Sequence, residues 1–124
     1  MPKANRRTDR PRFSLADVHA AAATREIVIT LRARTEGARA LPADLIDLDD
    51  EIRAIIVSLV VDEFQFAEVR TRNVDGRRSR SWVDVYRVDF EGCDLWLKIK
   101  LETDPAGQFV VVISLHEWDE SIPL

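Results

Sequence analysis

Cysteine is nearly absent from this chain of 124 residues: Cys93 stands alone. An internal disulfide and a cysteine-based zinc knuckle are thereby excluded. Histidine is almost as scarce. His19 and His116 lie far apart, and no HExxH-like metal spacing exists. Four glycines form neither GxGxxG nor GxxxxGK[ST], which argues against a dinucleotide-binding turn and a P-loop. No uncharged run approaches the ~18 residues of a membrane span. The longest apolar runs are Ile55-Ile56-Val57, Leu59-Val60-Val61 and Phe109 to Ile113. No apolar segment of signal-peptide type succeeds the arginine-rich start, so a reduced, cytoplasmic setting is expected.

What is present is ordinary globular material, 46% hydrophobic and 32% charged. A chain of this length can bury about two-thirds of its unfolded surface in one domain. The net charge of −4 conceals blocks. Residues 1–12 hold five basic residues and one acid, and residues 70–87 hold six arginines and two acids. The two stretches between and after these islands are acidic. An arginine cluster can neutralise phosphates even on an acidic protein. It also fits a plainly solvated hairpin tip.

Residues 1–12 read as a flexible basic tail and 13–124 as a single domain. Ser14 caps a helix running to about Arg25, with Asp17 placed for the capping box and the positive helix end. Ile27-Val28-Ile29 reads as a short β-branched strand. Thr30 caps a second helix to about Leu41, stopped by Pro42. The acidic run Asp47 to Glu51 opens a third helix rather than binding metal, and Ile52, Ile55, Ile56 and Leu59 give it one apolar face.

From Phe64 the period changes to two. Four strands are expected: Phe64–Arg72, Ser81–Phe90, Leu95–Glu102 and Gln108–Leu115. Asp75-Gly76, Glu91-Gly92 and Asp104 to Gly107 supply the turns between them. The fold class is therefore α+β, three N-terminal helices with a short strand, packed on a C-terminal antiparallel meander. Parity puts Tyr86, Val88, Leu95, Leu97, Ile99, Leu101, Phe109, Val111, Ile113 and Leu115 under the helices. The second face then carries Val83, Val85, Arg87, Trp96, Lys98, Lys100, Val110, Val112, Ser114 and His116. Arg70 has the opposite parity to Ala67 and Val69. Asp84, on the covered face, needs a partner such as Tyr86 Oη or a backbone amide. His19 and Cys93 receive no functional role.

Trp82-Val83-Asp84-Val85-Tyr86-Arg87 is similar to the W-Q-D-V-Y-R piece of the MqsR-type toxins of bacterial type II toxin–antitoxin modules. Gly92 with Leu95-Trp96-Leu97-Lys98 after it resembles their G…V-Y-L-K. Val112-Ile113-Ser114-Leu115-His116-Glu117 resembles I-V-S-F-K-E. Upstream, Phe13 to Val18 resembles the opening L-x-x-V helix, and Ile29 to Ala38 the R-x-T-x-x-A-x-x-G-A-x-x-L stretch. Ile56 to Phe64 resembles I-x-x-L-x-x-x-D-F. These pieces run collinearly from Phe13 to Trp118.

The resemblance implies a RelE-like fold, ribosome-independent cleavage of mRNA without metal or other cofactor, and neutralisation by a cognate antitoxin, a helix-turn-helix repressor in the best-known members. It implies no membrane, and a monomer when free. Such enzymes use the RNA 2′-OH as nucleophile and need a base, cations for the phosphorane and an acid for the leaving 5′-oxygen. The family assigns that work to a Lys after D-F-Y, the Gln of W-Q-D-V-Y-R, the Tyr of Y-L-K and the Lys of S-F-K. These map near Phe66 and onto Val83, Trp96 and His116, so all four are substituted. Either the site has been rebuilt, or cleavage is lost and binding kept. In a rebuilt site His116 is the candidate acid or base, because imidazole titrates near neutral pH. Arg87, Lys98 and Lys100 would stabilise phosphate. Trp96 would stack a base, and Arg70, Arg72, Arg77, Arg78 and Arg80 would bind RNA.

Overall fold

The computed structural model describes residues 7–41, 47–74 and 76–118; for 70–74 and 77–79 it describes backbone alone. The elements are β1 (Arg7–Thr8), α1 (Leu15–Thr24), β2 (Val28–Ile29), α2 (Leu31–Ala40) and α3 (Leu48–Val57), then β3 (Phe64–Val74), β4 (Arg77–Phe90), β5 (Cys93–Asp104) and β6 (Gly107–Glu117). A short 3₁₀ turn, Val61–Glu63, leads into β3. The six strands form one sheet in the order β1-β3-β4-β5-β6-β2. All pairings are antiparallel except β2 with β6. The α+β class is as expected, on a mixed sheet.

All three expected helix caps form. Ser14 accepts from the Asp17 amide, Thr30 from Ala33, and Asp47 from both Asp49 and Asp50. Each satisfies amides that a first turn leaves without intrahelical partners. At the other end of α1, Arg53 of α3 donates to the carbonyls of Ala22 and Arg25. Glu91 and Gly92 both adopt positive φ, at 52° and 83°. This is the backbone twist that a two-residue loop between Phe90 and Cys93 requires.

The helices pack on one face of the sheet. Val18, Ala21 and Ala22 of α1, Ala33 and Ala40 of α2, and Ile52, Ile55 and Ile56 of α3 join Tyr86, Val88, Leu95, Leu97, Ile99, Val110, Val112 and Leu115 in a single core. Each buried isoleucine or leucine stabilises the fold by ~1.5–3 kcal/mol. Simple alternation fails on β6. Leu101 pairs with Val110 and Ile99 with Val112, but Lys98 pairs with Ser114 and Leu97 with Leu115. Ile113 is therefore the extra residue of a β-bulge. Before it, Val110 and Val112 face the helices, in place of Phe109 and Val111. After it, Leu115 faces them and His116 does not.

The N-terminal stretch also departs from expectation. Arg7 and Thr8 pair with Glu68 and Ala67 of β3, so this part of the basic segment is docked strand and not a free tail. Asp84 anchors the chain at Arg12 and Phe13. It is 1% exposed, and its carboxylate accepts from the amides of Arg12 (2.9 Å) and Phe13 (3.1 Å). Burial pushes its pKa up, against these two amides and the Arg12 charge, which pull it down. The Arg12 guanidinium lies 4.5 Å over the Trp82 ring. Asp84→Ala leaves two amides without their acceptor, at a cost of about 1–3 kcal/mol. It should lower the urea midpoint and make the Arg12–Phe13 bond sensitive to trypsin. Wild-type resistance at that bond in Asp84→Ala would show that Asp84 does not hold the arm.

Candidate functional site

On the second face, strand register assembles a row across three strands. Arg87 of β4 pairs with Trp96 of β5, and Trp96 with His116 of β6. The next row is Phe66, Val85, Lys98 and Ser114. Lys100 pairs with Val111 farther along, about 13 Å from the first row at ~3.3 Å per residue. His116, Trp96, Arg87 and Lys98 thus come together, with Lys100 at their margin.

The rings form a continuous stack. Trp96 is 3% exposed, with Phe66 at 5.7 Å and Trp118 at 4.7 Å between centroids. Cations close both ends: the Arg7 guanidinium lies 4.1 Å over Phe66, and that of Arg87 4.1 Å over Trp118. Trp118 is held here by its amide, which donates to the Asp94 carbonyl at 2.7 Å. Trp96 is therefore the floor of the site rather than a free stacking face.

Each expected phosphate-binding cation has a carboxylate. Arg87 makes a two-pronged pair with Asp94, at 3.0 and 2.7 Å, which holds the Asp94 pKa down. Lys98 Nζ is 3.6 Å from Glu68 Oε2, and Glu68 is 2% exposed. Lys100 Nζ is 2.7 Å from Glu102. His116 is half-buried, and its Nδ1 lies 2.9 Å from the Glu117 carbonyl. A carbonyl only accepts, so Nδ1 carries the proton in this arrangement and Nε2 is the basic nitrogen.

The hairpin arginines are not brought to this row. Arg80 is exposed and pairs with Thr71. It stands seven positions from Arg87, about 23 Å along β4. The backbones of Arg70, Arg72, Arg77 and Arg78 lie in the same hairpin, and their side chains are outside the described residues. Asp84 found backbone amides as partners, as the sequence suggested. His19 Nε2 lies 2.9 Å from the Leu59 carbonyl, tying α1 to the end of α3. Cys93 is a free, half-buried thiol against the core. No group of three or more metal-ligating side chains occurs among the described residues. A shallow groove lined by Asp17, Thr24, Arg25 and Gln108 lies beside α1 and the β5–β6 turn, at the far end of β6 from His116.

Sequence reasoning did not reach Glu68, Arg7 or Trp118 as parts of this face. Glu68 and Arg7 depend on β1 docking and on the β3 register. Trp118 depends on a single backbone bond beyond the last strand.

No helix among the described residues is long and apolar enough to cross a membrane. No curated protein and no solved structure matches the chain. A family model described as "Motility quorum-sensing regulator, toxin of MqsA" matches residues 10–117. That span contains the whole row from Arg87 to His116, and the chain belongs to the MqsR toxin family.

Proposed function

We propose that this toxin is a metal-independent mRNA endoribonuclease, with the Arg87–Trp96–His116 row and Lys98 as its centre. The observation that supports the reading is the strand register, which puts His116 in one row with Trp96 and Arg87 and diagonal to Lys98 on the second face. His116 Nε2 takes the proton from a ribose 2′-OH, whose oxygen attacks the adjacent phosphorus. Lys98 and Arg87 exchange their carboxylates for the phosphorane oxygens, and Lys100 contributes from the margin. Protonated His116 or Lys98 then gives a proton to the departing 5′-oxygen. The products are a 2′,3′-cyclic phosphate and a 5′-hydroxyl. Trp96, with Phe66 and Trp118, supplies the floor for a flanking base. Arg70, Arg72, Arg77, Arg78 and Arg80 of the hairpin hold RNA farther along. The chain works in the cytoplasm as a monomer until a cognate antitoxin, read as a helix-turn-helix repressor, neutralises it and so restores translation and growth.

The test is incubation of purified chain with RNA in excess EDTA, with product ends identified. Cleavage leaving cyclic phosphate ends is expected. No cleavage of any RNA by folded protein would overturn the reading. A second reading rests on a specific observation: three of the four mapped catalytic positions are the apolar Phe66, Val83 and Trp96, and Phe66 packs on Trp96. It makes the chain a catalytically silent member that keeps antitoxin or RNA binding. Growth arrest on expression without antitoxin favours the ribonuclease; normal growth favours the silent form.

A further inference from the structure

His116 reaches the second face because of the bulge at Ile113. Were the Ile99–Val112 register continued without the extra residue, His116 would oppose Leu95 under the helices and Leu115 would lie on the second face. What holds that bulge comes from α2. β2 flanks β6 only at Val111 and Val112. Beyond them, α2 and its cap take over the outer edge of the strand. The Thr30 amide donates to the Val112 carbonyl and the Thr30 hydroxyl to the Ile113 carbonyl, each at 3.1 Å. Glu36 Oε1 accepts from Ser114 Oγ at 2.9 Å and from the Leu115 amide at 3.2 Å. Ser114 is fully buried. Close approach is possible because the next residue on α2 is Gly37, where a Cβ would sit 3.3 Å from Leu115 Cδ2.

We propose that Glu36 is a positioning residue for His116: its carboxylate holds Ser114 and Leu115 in the bulged register that sets the imidazole beside Trp96. The proposal rests on the ribonuclease reading for its effect on turnover, and on geometry alone for the placement of His116. Glu36 also meets Arg32 at 3.4 Å through its other oxygen, so one carboxylate joins the helix surface to the strand edge. Without it, two donors facing α2 lose their acceptor. The strand then loosens at the two residues that precede His116.

The experiment compares wild type, Glu36→Ala and Glu36→Gln, the last keeping a carbonyl-type acceptor. Two quantities are read: the nuclear Overhauser contact between the His116 imidazole and the Trp96 indole, and RNA cleavage resolved into kcat and KM. Glu36→Ala is expected to weaken the contact and lower kcat about 10- to 100-fold with KM little changed. Glu36→Gln is expected to restore both most of the way. An unchanged contact and kcat in Glu36→Ala would overturn the proposal, as would a failure of Gln to rescue. If Glu36→Ala does not fold, Ser114→Ala replaces it, with the same expected and overturning results. If the wild type cleaves no RNA, the ribonuclease reading fails by itself, and the imidazole–indole contact still decides whether Glu36 positions His116.

Discussion

Replacing His116 with alanine should reduce RNA cleavage by about 10²–10⁴-fold, the usual contribution of a positioned proton-transfer group. The fold should survive. The imidazole is half-buried, its one described hydrogen bond runs to the neighbouring Glu117 carbonyl, and it lies outside the core cluster. Circular dichroism and the thermal midpoint should stay near wild type while cleavage collapses. The loss should fall on kcat, because the group acts on the 2′-OH proton and on the leaving oxygen more than on substrate binding. Lys98→Ala should cost less, since that ammonium already has a carboxylate partner in Glu68. Wild-type cleavage by His116→Ala would remove the histidine from the mechanism and return attention to the cations around it.

The second large effect concerns Tyr86, the only tyrosine in the chain. It is 1% exposed, and its ring meets Phe64 edge-on at 5.6 Å. Burial first, then the nearby negative charges of Asp84 and Glu63, push its pKa up from 10.0 to about 12. Tyrosinate absorbance should therefore titrate near pH 12, and a lone tyrosine makes the signal unambiguous. The folded pKa lies above the unfolded one, so the neutral phenol favours the folded state. That contribution is complete below about pH 10 and is lost as pH rises through about 12. The displacement corresponds to ~3 kcal/mol. Wild type should lose stability steeply across this window in urea titrations, and Tyr86→Phe should flatten the loss. A midpoint at the ordinary tyrosine value would show that the ring is open to water.

Much of the architecture is written locally. Ser14, Thr30 and Asp47 start their helices because each offers a side-chain acceptor to amides two or three residues ahead. Ile52, Ile55 and Ile56 mark the buried face of α3 because helical spacing alone groups them, and Leu59 is buried just beyond the helix end. Glu91-Gly92 turns the chain because glycine accepts positive φ without strain. These are short-range facts, and they bring the α+β class with them. Parity along β5 also places Trp96, Lys98 and Lys100 opposite Leu95, Leu97, Ile99 and Leu101, because no bulge lies within that strand.

The second face of the sheet depends on longer-range choices. Alternation fails at Ile113, where the gain from burying Val110, Val112 and Leu115 together favours an extra residue in β6. No local pattern signals it, since Phe109 to Ile113 is apolar at every position. The carboxylates paired with Arg87 and Lys98 come from sequence positions seven and thirty residues away, on other strands. Arg7 joins the face only because β1 docks on β3 and Asp84 holds Arg12 and Phe13 behind it. Local residue choice thus accounts for the elements, their caps and turns, the family resemblance and the candidacy of His116. Packing and strand register settle which side of the sheet His116 occupies and which charges meet the cations beside it. In both, residues distant along the chain compete for the same neighbours, and no short stretch of sequence records the outcome.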